Sequence, residues 1–362
     1  MSLSVDNVLD ALSKVVEPDL KKDLVTLRMI KDLEVKGKKI SFKIVLTTPA
    51  CPFKENMKKA CIRSIHENVD ADAEIDITFE SKVTTRRADS DSLLPGVKNI
   101  VAIASGKGGV GKSTVAANLA VSLGRSGAKV GLLDADIYGP SIPLMFGAAQ
   151  KELTAIDVNG KTKVLPLEKY GIHIMSIGFF VDASKALIWR GPMASSALKQ
   201  LFTDVEWGEL DYLIIDLPPG TGDIHLSMVQ TLKLTGVVIV STPQQVALAD
   251  ARKAVSMFEN DNIGVKVLGM IENMSWFTPA ELPDNKYFIF GKNGCRNLAD
   301  EMDVPFLGQI PLVQGVCQSG DSGKPAVIDP ENVAASYFEE AAKSLASRIS
   351  IENTNTIQKI KS

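Results

Sequence analysis

Apolar residues recur along this chain in two rhythms, and the change falls near residue 97. Before it the pattern is that of a small mixed unit. Val5, Val8, Leu9, Leu12, Val15 and Val16 share one face of a helix that Ser4 can cap and Pro18 ends. Leu33–Val35 and the alternating Ile40, Phe42, Ile44 and Leu46 read as strands joined by a turn at Lys36-Gly37-Lys38. A second helix is expected from Phe53 to Glu67, and Ile75, Ile77 and Phe79 alternate as a third strand. The result is an α+β unit near the size at which a domain just holds itself together.

Beyond it, apolar strands alternate with helical stretches. The strands are Ile100–Ala104, Val130–Asp134, Ile172–Ile177, Tyr212–Asp216, Val237–Ser241, Val265–Ile271 and Pro305–Ile310. Such alternation gives an α/β fold, a mostly parallel sheet sandwiched by helices, with its ligand at the carboxyl ends of the strands. The segment between the two patterns is polar and holds Arg86-Arg87, Asp89, Asp91, Pro95 and Gly96, so it reads as a linker. The expected organisation is therefore an N-terminal α+β domain over 1–82, a linker over 83–97, an α/β domain over 98–350 and a frayed polar tail over 351–362.

Composition narrows the setting. A formal charge of −3 over 362 residues leaves no electrostatic footprint for nucleic acid. The start Met1-Ser2-Leu3-Ser4-Val5-Asp6 lacks the basic and apolar regions of a signal peptide, and no apolar run approaches membrane length. The tail lacks the apolar face of a membrane-targeting helix. Four widely spaced cysteines, Cys51, Cys61, Cys295 and Cys317, make no disulfide scaffold. A cytoplasmic protein with reduced thiols is the simplest expectation, with no nucleic acid and no membrane as partners.

The chemistry concentrates where the first strand of the larger domain ends. Ile100–Ala104 runs into Ser105-Gly106-Lys107-Gly108-Gly109-Val110-Gly111-Lys112-Ser113-Thr114, which is the order strand, phosphate loop, helix of a P-loop NTPase. The glycines let backbone N–H groups turn inward, and the helix that follows adds the positive end of its dipole. Lys112 would reach the β- and γ-phosphates of ATP, and Ser113 would complete a Mg²⁺ shell. The bland alternative is a glycine loop of structural use only.

Two further strand ends carry carboxylates. Asp134 and Asp136, in Leu132-Leu133-Asp134-Ala135-Asp136-Ile137-Tyr138-Gly139-Pro140-Ser141, can hold Mg²⁺ or its water, or orient the attacking water. Helix capping and turn formation are their ordinary alternatives. Leu213-Ile214-Ile215-Asp216 reads as a Walker B strand whose acid can bind Mg²⁺. Pro218-Pro219-Gly220-Thr221-Gly222-Asp223 follows with the restricted geometry of a switch loop, and His225 beyond it reads as a helix residue. Asn273 ends another strand, and its amide can both donate to and accept from an adenine edge, or simply form a turn.

The loop GKGGVGKST resembles the deviant Walker loop of the MinD/ParA and nitrogenase-iron-protein group of ATPases. The resemblance implies a homodimer in which Lys107 crosses to the partner's nucleotide; a solvated loop lysine is the plain alternative. It also implies Asp136 as the residue that positions water, Asp134 as support for the loop or metal shell, and Asn273 as reader of the base.

The likeness narrows when more motifs are included. Thr47-Thr48-Pro49-Ala50-Cys51-Pro52, LLDADIYGPS, WRGP at Trp189–Pro192, DYLIIDLPPGTGD and GDSGKP at Gly320–Pro325 together resemble the Mrp/ApbC family of iron–sulfur cluster carrier ATPases, over nearly the whole chain. The family implies slow ATP hydrolysis, a homodimer, and delivery of clusters, [4Fe–4S] among them, to recipient apoproteins, alongside cluster-assembly proteins.

One departure stands out. Many members carry Cys-x-x-Cys shortly after the adenine-reading Asn, yet here Ser275–Tyr287 contains no cysteine. Among the remaining thiols, Cys61 sits at helical spacing with Met57 and Ile65 and reads as core. Cys51, just before a helix N-terminus, sits where a thiolate is favoured. Cys295 and Cys317 lie in glycine-bearing stretches, where exposure would let either supply one ligand per subunit and burial or an idle thiol is an equal alternative. Two functions therefore compete: an ATP-dependent cluster carrier with a modified ligand set, and an ATP-driven dimerisation switch that acts on protein partners without holding a cluster. A small-molecule kinase is weaker, because no acceptor site is recognisable.

Overall fold

The computed structural model describes residues 3–87, 93–180, 191–222, 228, 231–279, 281–282 and 284–361. It divides into two compact units, Met1–Thr85 with Ala346–Ser362, and Arg86–Leu345.

In the first unit, helix α1 (Val5–Leu12) is capped by Ser4, whose hydroxyl accepts from Asn7 N at 3.3 Å. The helix stops at Leu12, short of the expected Val16. The residue before a proline is pushed into extended backbone, so Val16–Glu17, ahead of Pro18, form strand β1, paired antiparallel with β2 (Lys22–Asp23). Strands β3 (Ile30–Lys36), β4 (Lys39–Leu46) and β5 (Glu74–Ser81) make a sheet in that order. β3 and β4 are an antiparallel hairpin, whereas β4 and β5 are parallel and so need the crossover that helix α2 (Lys54–Asn68) supplies. Leu12, Ile44, Met57, Cys61 and Ile65 meet in the core between helices and sheet.

The last residues, expected to fray, are helical to Lys361. Asn353 is fully buried and donates to Thr84 O at 2.9 Å, while Thr354 and Thr356 hydroxyls bond back to carbonyls one turn earlier. These bonds offset the polar composition that suggested a loose tail. Among the described residues no helix is long and apolar enough to cross a membrane.

The second unit is built on an eight-stranded sheet. Its strands are β6 (Val97–Ala104), β7 (Val130–Asp134), β10 (Leu167–Lys169), β11 (Ile172–Ser176), β12 (Leu210–Asp216), β13 (Gly236–Ser241), β14 (Val267–Glu272) and β15 (Phe306–Gln309); β8 (Ala155–Val158) and β9 (Lys161–Val164) form a separate ribbon. The order is β10-β11-β7-β12-β6-β13-β14-β15, with every neighbour parallel except the edge pair β10–β11. β6, β12 and β13 are buried along nearly their whole length, which is why they read as unbroken apolar runs rather than alternating ones. The order reverses around β6, and crevices at such points are where open α/β sheets take ligands.

The expected linker is held rather than loose at its first residues. Arg86 donates to Thr235 O at 2.7 Å, and Arg87 donates to the carbonyls of Leu94 and Val97. Asp89 and Asp91 lie outside the described residues, as do Trp189 and Arg190 of the WRGP motif, Asp223 and His225.

Candidate functional site

The parallel register brings three strand ends to one place. Asp216 at the end of β12 pairs with Asp134 of β7 on one side and with Ile103 of β6 on the other. The chain leaves β6 through Ser105 and Gly106, turns through Gly109 and Gly111 at φ 81° and 79°, and enters helix α3 (Lys112–Arg125). Both glycines sit in backbone that a side chain rarely adopts. Gly111 has a second constraint, because a Cβ there would lie 2.2 Å from Asn273 Nδ2. Gly106 is fixed by crowding instead: its Cβ would lie 2.2 Å from Asp250 O, in the helix Gln245–Glu259.

Lys112, Ser113, Asp136 and Asp216 converge at the mouth of this loop. Lys112 Nζ donates to Asp216 Oδ1 at 2.5 Å, lies 3.9 Å from Asp136 Oδ2, and is 3.4 Å from Ser113 Oγ. Asp216 is completely buried and Lys112 nearly so, at 6% exposure. Burial pushes the Asp216 carboxyl up, against the lowering pull of the Lys112 charge and hydrogen bonds from Lys112 and Ser113. Asp136 is likewise raised by burial and lowered by Lys112. One oxygen of each acid, Asp216 Oδ2 and Asp136 Oδ1, is buried with no hydrogen-bond partner. Two orphaned carboxylate oxygens beside the Ser113 hydroxyl form the hard, oxygen-only donor set that Mg²⁺ or its water shell takes, so the residues fit the ion.

Asp134 differs. Its Oδ1 accepts from Asp136 N at 3.2 Å, and its Oδ2 accepts from Ile142 N at 3.1 Å and Ser176 Oγ at 3.0 Å. With both oxygens accepting from protein donors, Asp134 braces the loop that carries Asp136. Burial first, and the neighbouring Asp216 charge second, raise its carboxyl to about 7. Ser176 was not among the sequence candidates; a lone serine ending a strand carries no signal of the aspartate 42 residues before it.

The rim completes a cleft of about 220 Å³. Lys107 is exposed there, with Ser105 Oγ donating to its carbonyl at 2.9 Å. Pro219, in the loop that follows β12, lines the same cleft, and Gly220 N donates to Ser105 O at 2.9 Å. Asn273 is buried behind the loop and donates to Val110 O at 2.9 Å. Its amide nitrogen is thus engaged in bracing the loop. Asn118 is a second brace that the sequence did not flag. Its amide donates to Thr114 O at 2.8 Å and its carbonyl oxygen accepts from Val327 N at 3.1 Å, just past the GDSGKP segment. That segment is seated tightly: a Cβ on Gly323 would lie 2.5 Å from Gly147 Cα.

The thiols do not gather. Among the described residues no group of three or more His, Cys, Asp or Glu side chains could hold a metal ion. Cys61 is core, its thiol pushed up to about 12 by burial. At Cys51 the helix start is outweighed: the thiol is half-buried against the core, and burial pushes it up to about 11 despite backbone hydrogen bonds from Phe53 and Lys54. Cys295, for which the sequence leaves exposure and burial both open, is fully buried at the start of the helix Gly294–Glu301, and burial with the nearby Glu272 charge pushes its thiol up. Gly294 there is a packing glycine, its Cβ position 2.4 Å from Pro243 O. Cys317 alone is exposed.

Within the cysteine-free stretch after Asn273, Phe277 and Tyr287 exchange backbone hydrogen bonds of 2.8 Å. Lys286 Nζ stacks 4.0 Å over the Trp276 ring.

Known proteins are similar to this chain over nearly its whole length. Residues 96–346 match the model of the NUBPL iron-transfer P-loop NTPase family, and residues 5–77 match that of an iron–sulfur cluster assembly protein. An iron–sulfur cluster carrier protein of Synechocystis is 44% identical over 96% of this chain and 99% of its own. One from Deinococcus radiodurans is 47% identical over 97% of each. Among solved structures, a nucleotide-binding protein from Archaeoglobus fulgidus in complex with ADP is 37% identical, with a TM-score of 0.56 over 65% of this chain and 90% of that one.

Proposed function

Since the chain belongs to the NUBPL iron-transfer P-loop NTPase family, we propose that it is an ATPase that carries iron–sulfur clusters to recipient apoproteins. The observation that carries this reading is likeness along the whole chain, small N-terminal unit included, to iron–sulfur cluster carrier proteins.

In the proposed mechanism the turned-in N–H groups of residues 106–114 cradle the phosphates of ATP and Lys112 neutralises charge at the β/γ position. Ser113 and Asp216 would hold Mg²⁺, which supplies further charge neutralisation when bound. Asp136, carried on a loop that Asp134 fixes, orients the attacking water and can accept its proton. Lys107, exposed at the rim, reaches the nucleotide of a second copy in a homodimer, adding a positive charge where negative charge develops. Asn273 holds the loop by its amide nitrogen and has its oxygen left to meet the base. Residues 1–82 act as an accessory domain, 98–350 as the ATPase, and turnover is slow and Mg²⁺-dependent in the cytoplasm.

The cluster is cargo, and its ligands are the open chemical question. Cys317 is the accessible candidate; Cys51 and Cys295 would need movement to serve. The absence of cysteine from Ser275–Tyr287 supports a second reading, in which the ATPase works on partners that hold the cluster themselves. Anaerobic reconstitution with iron and sulfide, followed by transfer to an apo-ferredoxin, separates the two. Bound cluster passed on in an ATP-dependent way supports the carrier. A colourless protein that neither accepts nor donates cluster overturns it.

A further inference from the structure

We infer that the Lys112–Asp216 ion pair is a placeholder that makes this site accept nucleotide and divalent cation only as a pair. The inference rests on the nucleotide-binding reading above and goes on to how the two ligands depend on each other.

Three observations carry it. The Lys112 ammonium, the group the loop offers to β- and γ-phosphates, is committed to Asp216 Oδ1 at 2.5 Å. Asp216 is fully buried, so a charge there needs compensation. Among the described residues no other cation pairs with it: its other oxygen, Oδ2, has no hydrogen-bond partner, and Ser113 offers only a hydroxyl. The same ammonium also lies 3.9 Å from Asp136 Oδ2.

The consequences follow from electrostatics. Phosphate that draws Lys112 away, with no cation arriving, leaves Asp216 buried and uncompensated and adds further negative charge beside it. A divalent cation that approaches Asp216, with no phosphate arriving, meets the ammonium within hydrogen-bond distance of the same carboxylate. Only when both arrive does each charge keep a partner: the ammonium passes to phosphate and the cation replaces it on Asp216. Asp216 is thus a gate on nucleotide entry in addition to its place in the cation's shell.

ADP is the probe, because it is not turned over, and calorimetry in EDTA or in Mg²⁺ is the measurement. The wild-type protein binds ADP roughly tenfold or more weakly in EDTA. Asp216→Asn frees Lys112, so in EDTA this variant binds ADP more tightly than wild type, by roughly tenfold. If Asp216 did nothing but hold the cation, the two proteins would bind ADP equally in EDTA, and that result overturns the placeholder. A second arm needs no variant: millimolar Mg²⁺ without nucleotide leaves the wild-type melting temperature unchanged, and a rise overturns the inference. Wild type that binds no ADP in either condition would instead overturn the nucleotide reading itself.

Discussion

The phosphate-loop site and the cysteines are two opposite ways of distributing chemistry over a chain. Three stretches separated in sequence bring Lys112 and Ser113, Asp136, and Asp216 within a few ångströms, with Asp134, Asn118 and Asn273 bracing them from behind. The four thiols stay apart: two are buried, one is half-buried and one is exposed. Phosphate transfer rewards fixed donors, since charge stabilised at a set position costs no reorganisation at the moment of reaction. Cargo must be released as well as bound, and a fully enclosed thiolate cage would resist release. A chain that stores its ATP chemistry in rigid strand ends and leaves its thiols scattered is suited to completing the cargo site with another copy or a partner.

That contrast can be broken most decisively at Lys112. Lys112→Ala is expected to cut phosphate release to about one-hundredth or less, as removal of a charge-stabilising donor does. A variant that kept a tenth of wild-type turnover would mean that the site is less concentrated than its geometry. The thiol side is tested by alkylation followed by mass spectrometry. Cys51, with its thiol near 11, is expected to react at pH 8 roughly a hundredfold more slowly than an ordinary exposed cysteine. Because a raised thiol carries little thiolate below its own pKa, its rate should keep climbing about tenfold per pH unit through pH 10, where an ordinary thiol levels off. Cys317 should be modified first, and Cys61 and Cys295 only on unfolding; early modification of Cys295 would erase the distinction drawn here.

Lys107 sharpens the comparison at a smaller scale. Lys107→Ala should leave ADP affinity within about threefold of wild type yet lower turnover roughly tenfold, since the residue sits on the rim rather than in the cradle. Unchanged turnover removes it from the mechanism. The smallest effect is expected in reconstituted iron: Cys317→Ala should lose about half or more of the bound iron and Cys295→Ala essentially none. The reverse ranking would show that the helix at Gly294 opens to deliver its thiol.

Much of this architecture is legible in the order of residues. Buried parallel strands are apolar along their length, so β6, β7, β12 and β13 stand out, and glycines followed by Lys112-Ser113 announce the loop. What escapes is whatever depends on distant partners. Asp134 reads as a possible metal ligand, and nothing in the sequence tells that Ser176 and Ile142 both donate to its Oδ2. Gly294 reads as a sign of exposure around Cys295, whereas it is there to let the backbone pass Pro243. Val15 and Val16 continue a helical stripe on paper, but Pro18 turns their segment into a strand. Asn118 hides in an apolar helix because its second partner, Val327, is encoded 209 residues later.

The position of β6 in its sheet carries a cost during synthesis. Its neighbours on either side, β12 and β13, begin at Leu210 and Gly236, whereas β6 itself ends at Ala104. At about 5–20 residues per second, a ribosome needs on the order of 5–20 s after finishing β6 to supply the first of them. For that interval an almost wholly buried strand of the nascent ATPase has both edges bare, the condition in which strands pair with the wrong partner. A chaperone that shields the emerging chain over those seconds would therefore raise the yield of this protein more than one that acts after release.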